Sequence, residues 1–144
     1  MVNVAVMMST YNGELYVKEQ IISILKQRNV EIALFIRDDG SSDNTISIIE
    51  NLRKQNSNIH LIKGKNVGIG NSFMQLLYYT PEKYDYYAFS DQDDIWNEEK
   101  LYSGIELLVK AKKQLYVSNQ KCVDKRGNLI AMRYKSEPRL NPID

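Results

Sequence analysis

A chain of 144 residues, 43% hydrophobic and 26% charged, is sized for one domain with a real core and leaves little room for a second. Its formal net charge of +1 gives no overall pull toward nucleic acid, and a lone Cys122 excludes an intrachain disulfide framework and a cysteine-based zinc site. The opening MVNVAVMMSTYNG is too briefly apolar and too uncharged at its front for a signal peptide, and no run reaches the roughly 20 apolar residues that span a bilayer. A cytoplasmic, reducing setting is the resulting expectation.

Strand-like and helix-like stretches alternate. VNVAVMMS is a short, β-branched run closed by the turn-forming TYNG and predicts a buried strand. ELYVKEQIISILKQR carries Val17, Ile21, Ile24 and Leu25 at helical spacing. EIALFIRDDG predicts a second strand, after which Ser42 or Asp43 can cap a helix over NTISIIENLRKQ. NIHLIKG predicts a third strand, and NSFMQLLYYT a third helix stopped by Pro81. YDYYAFSD predicts a fourth strand and EEKLYSGIELLVKAKK a fourth helix, its lysines gathered at the C-terminal end, which suits cations. QLYVSNQKCVD and LIAMRY flank KRGN as a hairpin.

The repeated β-α-β order predicts an α/β domain over residues 1–144: a Rossmann-like, mostly parallel sheet with helices on both faces and right-handed crossovers. The last two strands can pair otherwise, giving a mixed sheet. Ligands in such sheets bind at the carboxyl ends of the strands. Four polar turns fall there: STYNG, RDDGSSD, KNVGIG and SDQDD.

Each turn also has a plain structural explanation. Acidic residues favour a helix start, and Asp94 fits that use. Capping needs one carboxylate, however, whereas SDQDD supplies Asp91, Asp93 and Asp94. Like charges so close raise one another's pKa unless a cation neutralises them, and Mg²⁺ or Mn²⁺ bridges such carboxylates to phosphates. RDDGSSD can be a glycine turn and a cap, yet Asp38 and Asp39 reach the sheet edge before any helix needs them. A carboxylate there can accept hydrogen bonds from a base N–H or ribose hydroxyls. STYNG taken alone is better explained as a capping turn, and KNVGIGN equally well as a loop-to-helix turn. Lys63 and Lys65 could meet phosphate charge, although exposed lysines usually meet water. Trp96 is expected to pack, and His60, inside a strand, is a poor catalytic base. Most of the ten tyrosines suit sheet packing.

Taken together, MMSTYNGELYVKEQIISILKQ, IRDDGSSDNT, KNVGIGNSF and FSDQDDIWNEEKL, in this order and spacing, resemble the nucleotide-binding half of inverting family 2 glycosyltransferases of the GT-A fold. The resemblance covers nearly all of residues 2–130, and SDQDDIW is similar to the version in rhamnosyltransferase-like members that build bacterial surface polysaccharides. It implies a nucleotide-diphospho-sugar donor, UDP- or dTDP-linked, a saccharide or lipid-linked acceptor, Mg²⁺ or Mn²⁺, and no nucleic acid. It also admits a peripheral position at the inner face of the membrane. Carried over by position, it implies that Thr10, Tyr11 and Asn12 line the base and ribose pocket and that Asp39, with Asp38, contacts the base. Asn66 and Gly68 join the nucleotide-sugar-binding set, Asp91 faces the ribose or donor, and Asp93, with Asp91, holds the metal on the diphosphate.

The chain departs from the family in two respects. Members continue for on the order of 100 residues past the D-x-D strand, a length natural to larger α/β domains. The donor part is therefore expected at about 1–118 and only the start of the acceptor part at about 119–144. Glu137 and Asp144 are the only carboxylates of the final stretch and neither stands in a base motif, so the general base stays unassigned. NVGIGNSF also lacks the arginine that some relatives carry after this Asn-x-Gly. A homo-oligomer or a completing partner chain is the corresponding expectation, and a catalytically silent sugar-nucleotide-binding module is the alternative reading. A receiver domain or Asp-based phosphohydrolase would carry acids at the end of the first strand, where this chain has MMSTYNG and no acid before Glu14.

Overall fold

The computed structural model describes residues 1–124 and 126–135. They form β1 (Val2–Thr10), α1 (Val17–Leu25), β2 (Val30–Asp38), α2 (Thr45–Gln55), β3 (Ile59–Lys63), α3 (Ile69–Tyr79), β4 (Tyr86–Ser90), α4 (Lys100–Ala111), β5 (Lys121–Val123) and β6 (Leu129–Met132). The chain divides into two compact units, Met1–Ser103 and Gly104–Asp144.

The first unit is built on a four-stranded sheet in the order β3-β2-β1-β4, every pairing parallel. β1 is buried without interruption from Val4 to Thr10. That is the reason its sequence reads as a continuous apolar run rather than an alternating one: a central parallel strand is covered on both faces. On one face Ala5, Met7, Ala33 and Phe35 pack with Leu76 of α3, extended by Ile62, Phe73 and Tyr84. On the other, α1 reaches the sheet where Gln20 Nε2 donates to Ser90 Oγ at 2.6 Å. Ile21 and Ile24 of α1 and Ile49 of α2 are fully buried. Fully burying an aliphatic side chain of this size stabilises by about 1.5–3 kcal/mol. β4, at the sheet edge, alternates instead, leaving Tyr87 43% and Phe89 56% exposed.

The helix starts differ by one to three residues from expectation, α1 beginning at Val17 rather than Glu14. α2 begins at Thr45, and Asp43 still serves its first turn, Oδ1 accepting the Thr45 N–H at 3.0 Å. Trp96 packs as expected, 6% exposed, with Lys100 Nζ 5.0 Å from its ring centre. His60 stacks on Phe35 at 4.6 Å.

In the second unit β5 and β6 pair antiparallel, with a register shift at Cys122/Val123. The expected hairpin is therefore present, as its own ribbon rather than as strands added to the parallel sheet. Both strands are exposed throughout and carry no buried apolar face. Glu137 and Asp144 lie outside the described residues.

Candidate donor-binding site

Parallel pairing with near-equal strand ends brings the carboxyl termini of the sheet to one edge. Thr10 lies beside Asp38, Asp38 beside Lys63, and Met8 beside Ser90. The four polar turns therefore emerge together, and hydrogen bonds join them.

Thr10, Asp38 and Asp39 make a buried floor, 1%, 0% and 2% exposed. Asp38 Oδ2 accepts Thr10 Oγ1–H at 2.9 Å and Ser41 Oγ–H at 2.6 Å, and its Oδ1 accepts the Ser41 N–H at 2.8 Å and the Gly40 N–H at 3.2 Å. These bonds match the roughly four lone-pair positions of a carboxylate, so Asp38 folds the turn. Asp39 Oδ1 accepts from Arg37 Nη1 at 2.5 Å and the Val67 N–H at 2.9 Å, and Oδ2 accepts the Gly68 N–H at 2.9 Å. One acceptor position on Oδ2 is left for a further donor. Burial opposes the Asp39 charge, but hydrogen bonds from Arg37, Val67 and Gly68, with the guanidinium's charge, hold its carboxyl below the usual carboxylate range.

Arg37 was not anticipated as a site residue. It is 2% exposed, and beyond Asp39 it donates to Gln75 Oε1 at 2.8 Å, Ser72 Oγ at 3.0 Å and Lys65 O at 3.0 Å. The signal in the sequence is a lone cation closing the apolar IALFI, because a charge so placed must find partners. Ser72 is the second such residue, receiving Ser9 Oγ–H at 2.6 Å.

Tyr11, Asn12, Asn66, Gly68, Asp91 and Asp93 form an exposed rim. Asn12 holds a positive φ of 46°, tolerated by asparagine, which lets its N–H donate to Ser41 Oγ and its Oδ1 accept from the Ser42 N–H, both at 2.9 Å. Gly68, φ 82°, opens α3 and presents its N–H to Asp39. Glu14 and Asp43 tie the first two turns further: Asp43 Oδ2 accepts the Glu14 N–H at 3.0 Å and Glu14 Oε2 the Asn44 N–H at 2.9 Å. Burial opposes the Asp43 charge too, and bonds from Thr45 and Glu14 prevail, lowering its pKa.

The β4 turn joins through Gln92, also unanticipated. Its Oε1 accepts the Tyr11 N–H at 2.9 Å and its Nε2 donates to Tyr11 O at 3.1 Å. The Thr10–Tyr11 backbone is thus held between the Asp38–Asp39 turn and the Asp91–Asp93 turn. β1 separates the two acidic turns, which puts them about 10 Å apart at the sheet. That exceeds the span of one shared ion but suits a nucleotide's reach from base to phosphate. Among the described residues no three acidic, histidine or cysteine side chains gather around one point. A shallow depression lined by Met1, Val2, Asp85 and Tyr86 lies at the opposite end of the strands and holds no comparable chemistry.

Residues 5–143 match the family described as Glycosyl transferase family 2. The chain belongs to this family. The dTDP-rhamnosyl transferase RfbG of Shigella flexneri is 42% identical over 116 residues, 78% of this chain and 40% of RfbG. The crystal structure of S. aureus TarS 1-349 in complex with UDP-GlcNAc superposes with a TM-score of 0.66 at 26% identity, over 76% of this chain and 32% of that one. The mannosyltransferase PcManGT from Pyrobaculum calidifontis, in complex with GDP-Man and Mn²⁺, gives a TM-score of 0.68 at 19% identity, over 85% of this chain and 35% of its own, a likeness of fold. The fold of this family 2 chain is GT-A. It spans well under half the length of these relatives.

Proposed function

We propose that the chain is the donor-binding part of an inverting glycosyltransferase that moves a sugar from a UDP- or dTDP-linked donor to a saccharide or lipid-linked acceptor in bacterial cell-surface polysaccharide synthesis. The carrying observation is the Thr10–Tyr11 segment held on one side by the Asp38–Asp39 turn, through Thr10 Oγ1–H to Asp38 and the Asp39 N–H to Thr10 O, and on the other by Gln92, which stands between Asp91 and Asp93. RfbG, by name a dTDP-rhamnosyl transferase, and TarS with its UDP-GlcNAc support a pyrimidine donor.

In this reading the remaining acceptor position of Asp39 takes the imino N–H of a pyrimidine. Tyr11 and Asn12 flank the ribose, and Asn66 and Gly68 border the base side. Asp91 and Asp93 suit Mg²⁺ or Mn²⁺, because such an ion is held by one or two carboxylates with phosphate oxygens and waters completing its shell. When bound, the ion would offset charge on the departing nucleoside diphosphate. The acceptor hydroxyl attacks the anomeric carbon from the side opposite the departing nucleoside diphosphate, its proton passing to a carboxylate base. The reading places the chain in the cytoplasm and admits a peripheral position at the inner membrane face.

The exposed Tyr87 and Phe89 of β4 favour a second reading, a sugar-nucleotide-binding module completed by another chain or copy. Donor hydrolysis or transfer separates the two, since only the first turns donor over. A thermal-shift screen of UDP, dTDP, GDP and CDP, with and without Mn²⁺, tests the shared donor claim. UDP or dTDP should raise the melting temperature far more with Mn²⁺ than without it; no shift with any of them contradicts it.

A further inference from the structure

Gln92 stands in the middle of Asp91-Gln92-Asp93, where only the outer carboxylates have a proposed role. Its amide closes a two-bond pair with the backbone of Tyr11, at 2.9 and 3.1 Å. The β1–β4 ladder ends at Met8 beside Ser90, so this pair acts as a rung beyond the last strand pairing. Its fit depends on Gly13. A Cβ on residue 13 would stand 2.8 Å from Gln92 Cδ and overlap Oε1. Gly13 is not among the glycines with positive φ, so the missing side chain serves space rather than backbone conformation.

Resting on the reading of Asp91 and Asp93 as the diphosphate side, we propose that Gln92 is a positioning residue that couples metal binding to nucleotide binding. Two carboxylates on one exposed turn repel each other, and an unanchored turn must be ordered when ligand binds, at a cost in affinity. The Gln92–Tyr11 pair removes that cost beforehand. It also fixes the acidic turn against the backbone that lines the nucleoside pocket, so each ligand finds the other's side already in place.

The test is calorimetry of UDP and dTDP binding to the full chain, in Mn²⁺ and in EDTA, for wild type, Gln92→Met, Gly13→Ala and the double variant. Methionine keeps the volume and removes both hydrogen bonds. Gln92→Met should cut the enhancement of affinity by Mn²⁺ about tenfold, the scale of two lost hydrogen bonds. Affinity in EDTA should stay within about twofold, which a merely structural role would not predict. Gly13→Ala should reproduce the loss by displacing Gln92, and in the double variant it should add little to Gln92→Met. An unchanged enhancement in both single variants, or an equal loss with and without Mn²⁺, overturns the coupling role while wild-type binding upholds the donor site. Absence of wild-type binding in Mn²⁺ overturns both.

Discussion

Arg37 and Asp39, two residues apart at the end of β2, form a buried ion pair with Nη1 2.5 Å from Oδ1 and side chains 2% and 3% exposed. The pair joins three elements, since Arg37 also binds Ser72 and Gln75 of α3 and the Lys65 carbonyl, while Asp39 takes the Val67 and Gly68 N–H groups. Removing one partner of such a pair leaves an uncompensated buried charge. Arg37→Met should therefore destabilise by about 3–5 kcal/mol in urea unfolding. Arg37→Met with Asp39→Asn should lose less than the two single losses added, by roughly 0.5–3 kcal/mol.

The same carboxylate sets an acid limit. Asp39 and Asp43 are both held below their ordinary range in the folded chain. Their contribution is present above the unfolded value, about pH 3.9, and disappears as pH falls through the lower folded values. The urea midpoint should hold steady toward neutrality and drop below about pH 4. Asp39→Asn should flatten that drop while lowering the plateau.

Gly40 carries φ 84°, and a Cβ there would come within 3.0 Å of Asn66 N. Gly40→Ala should cost about 1–2 kcal/mol from the left-handed backbone alone, read as a lower melting temperature. It should also weaken UDP or dTDP binding, because it pushes the Asn66–Gly68 turn away from Asp39.

At the sheet edge, Phe89 meets Phe73 edge-to-face at 5.4 Å and remains largely exposed, beside an exposed Tyr87. An apolar edge strand invites pairing. Sedimentation should show concentration-dependent association, and Phe89→Lys should shift the chain toward monomer.

Much of this was legible in the sequence because its signals are local. The order of elements follows from periodicity, and the gathering of four turns on one edge follows from β-α-β order. Strand order was not legible: nothing local in Val2–Thr10 states that β4 rather than β3 lies beside it. The terminal hairpin is legible, but not that its strands pair only with each other, since KCV and LIAM read as strands whether or not they join a larger sheet. Gln92 and most of Arg37's bonds are not legible because they arise across the fold: beyond the neighbouring Asp39, the partners of Arg37 lie 28 to 38 residues away, and that of Gln92 lies 81 away. Asp38 and Asp39 are alike in the sequence, and only hydrogen-bond geometry distinguishes the carboxylate with four donors from the one with three.

The central claim is that the Asp39 turn and the Asp93 turn serve opposite ends of one nucleotide. Calorimetry of UDP and dTDP binding to wild type and Asp93→Asn, in Mn²⁺ and then in EDTA, tests it most directly. Wild type should bind one of them with Mn²⁺ and lose most affinity in EDTA, whereas Asp93→Asn should bind equally weakly in both and unfold at the wild-type midpoint. Wild-type affinity unaffected by EDTA, or Asp93→Asn binding as tightly as wild type in Mn²⁺, would contradict the account.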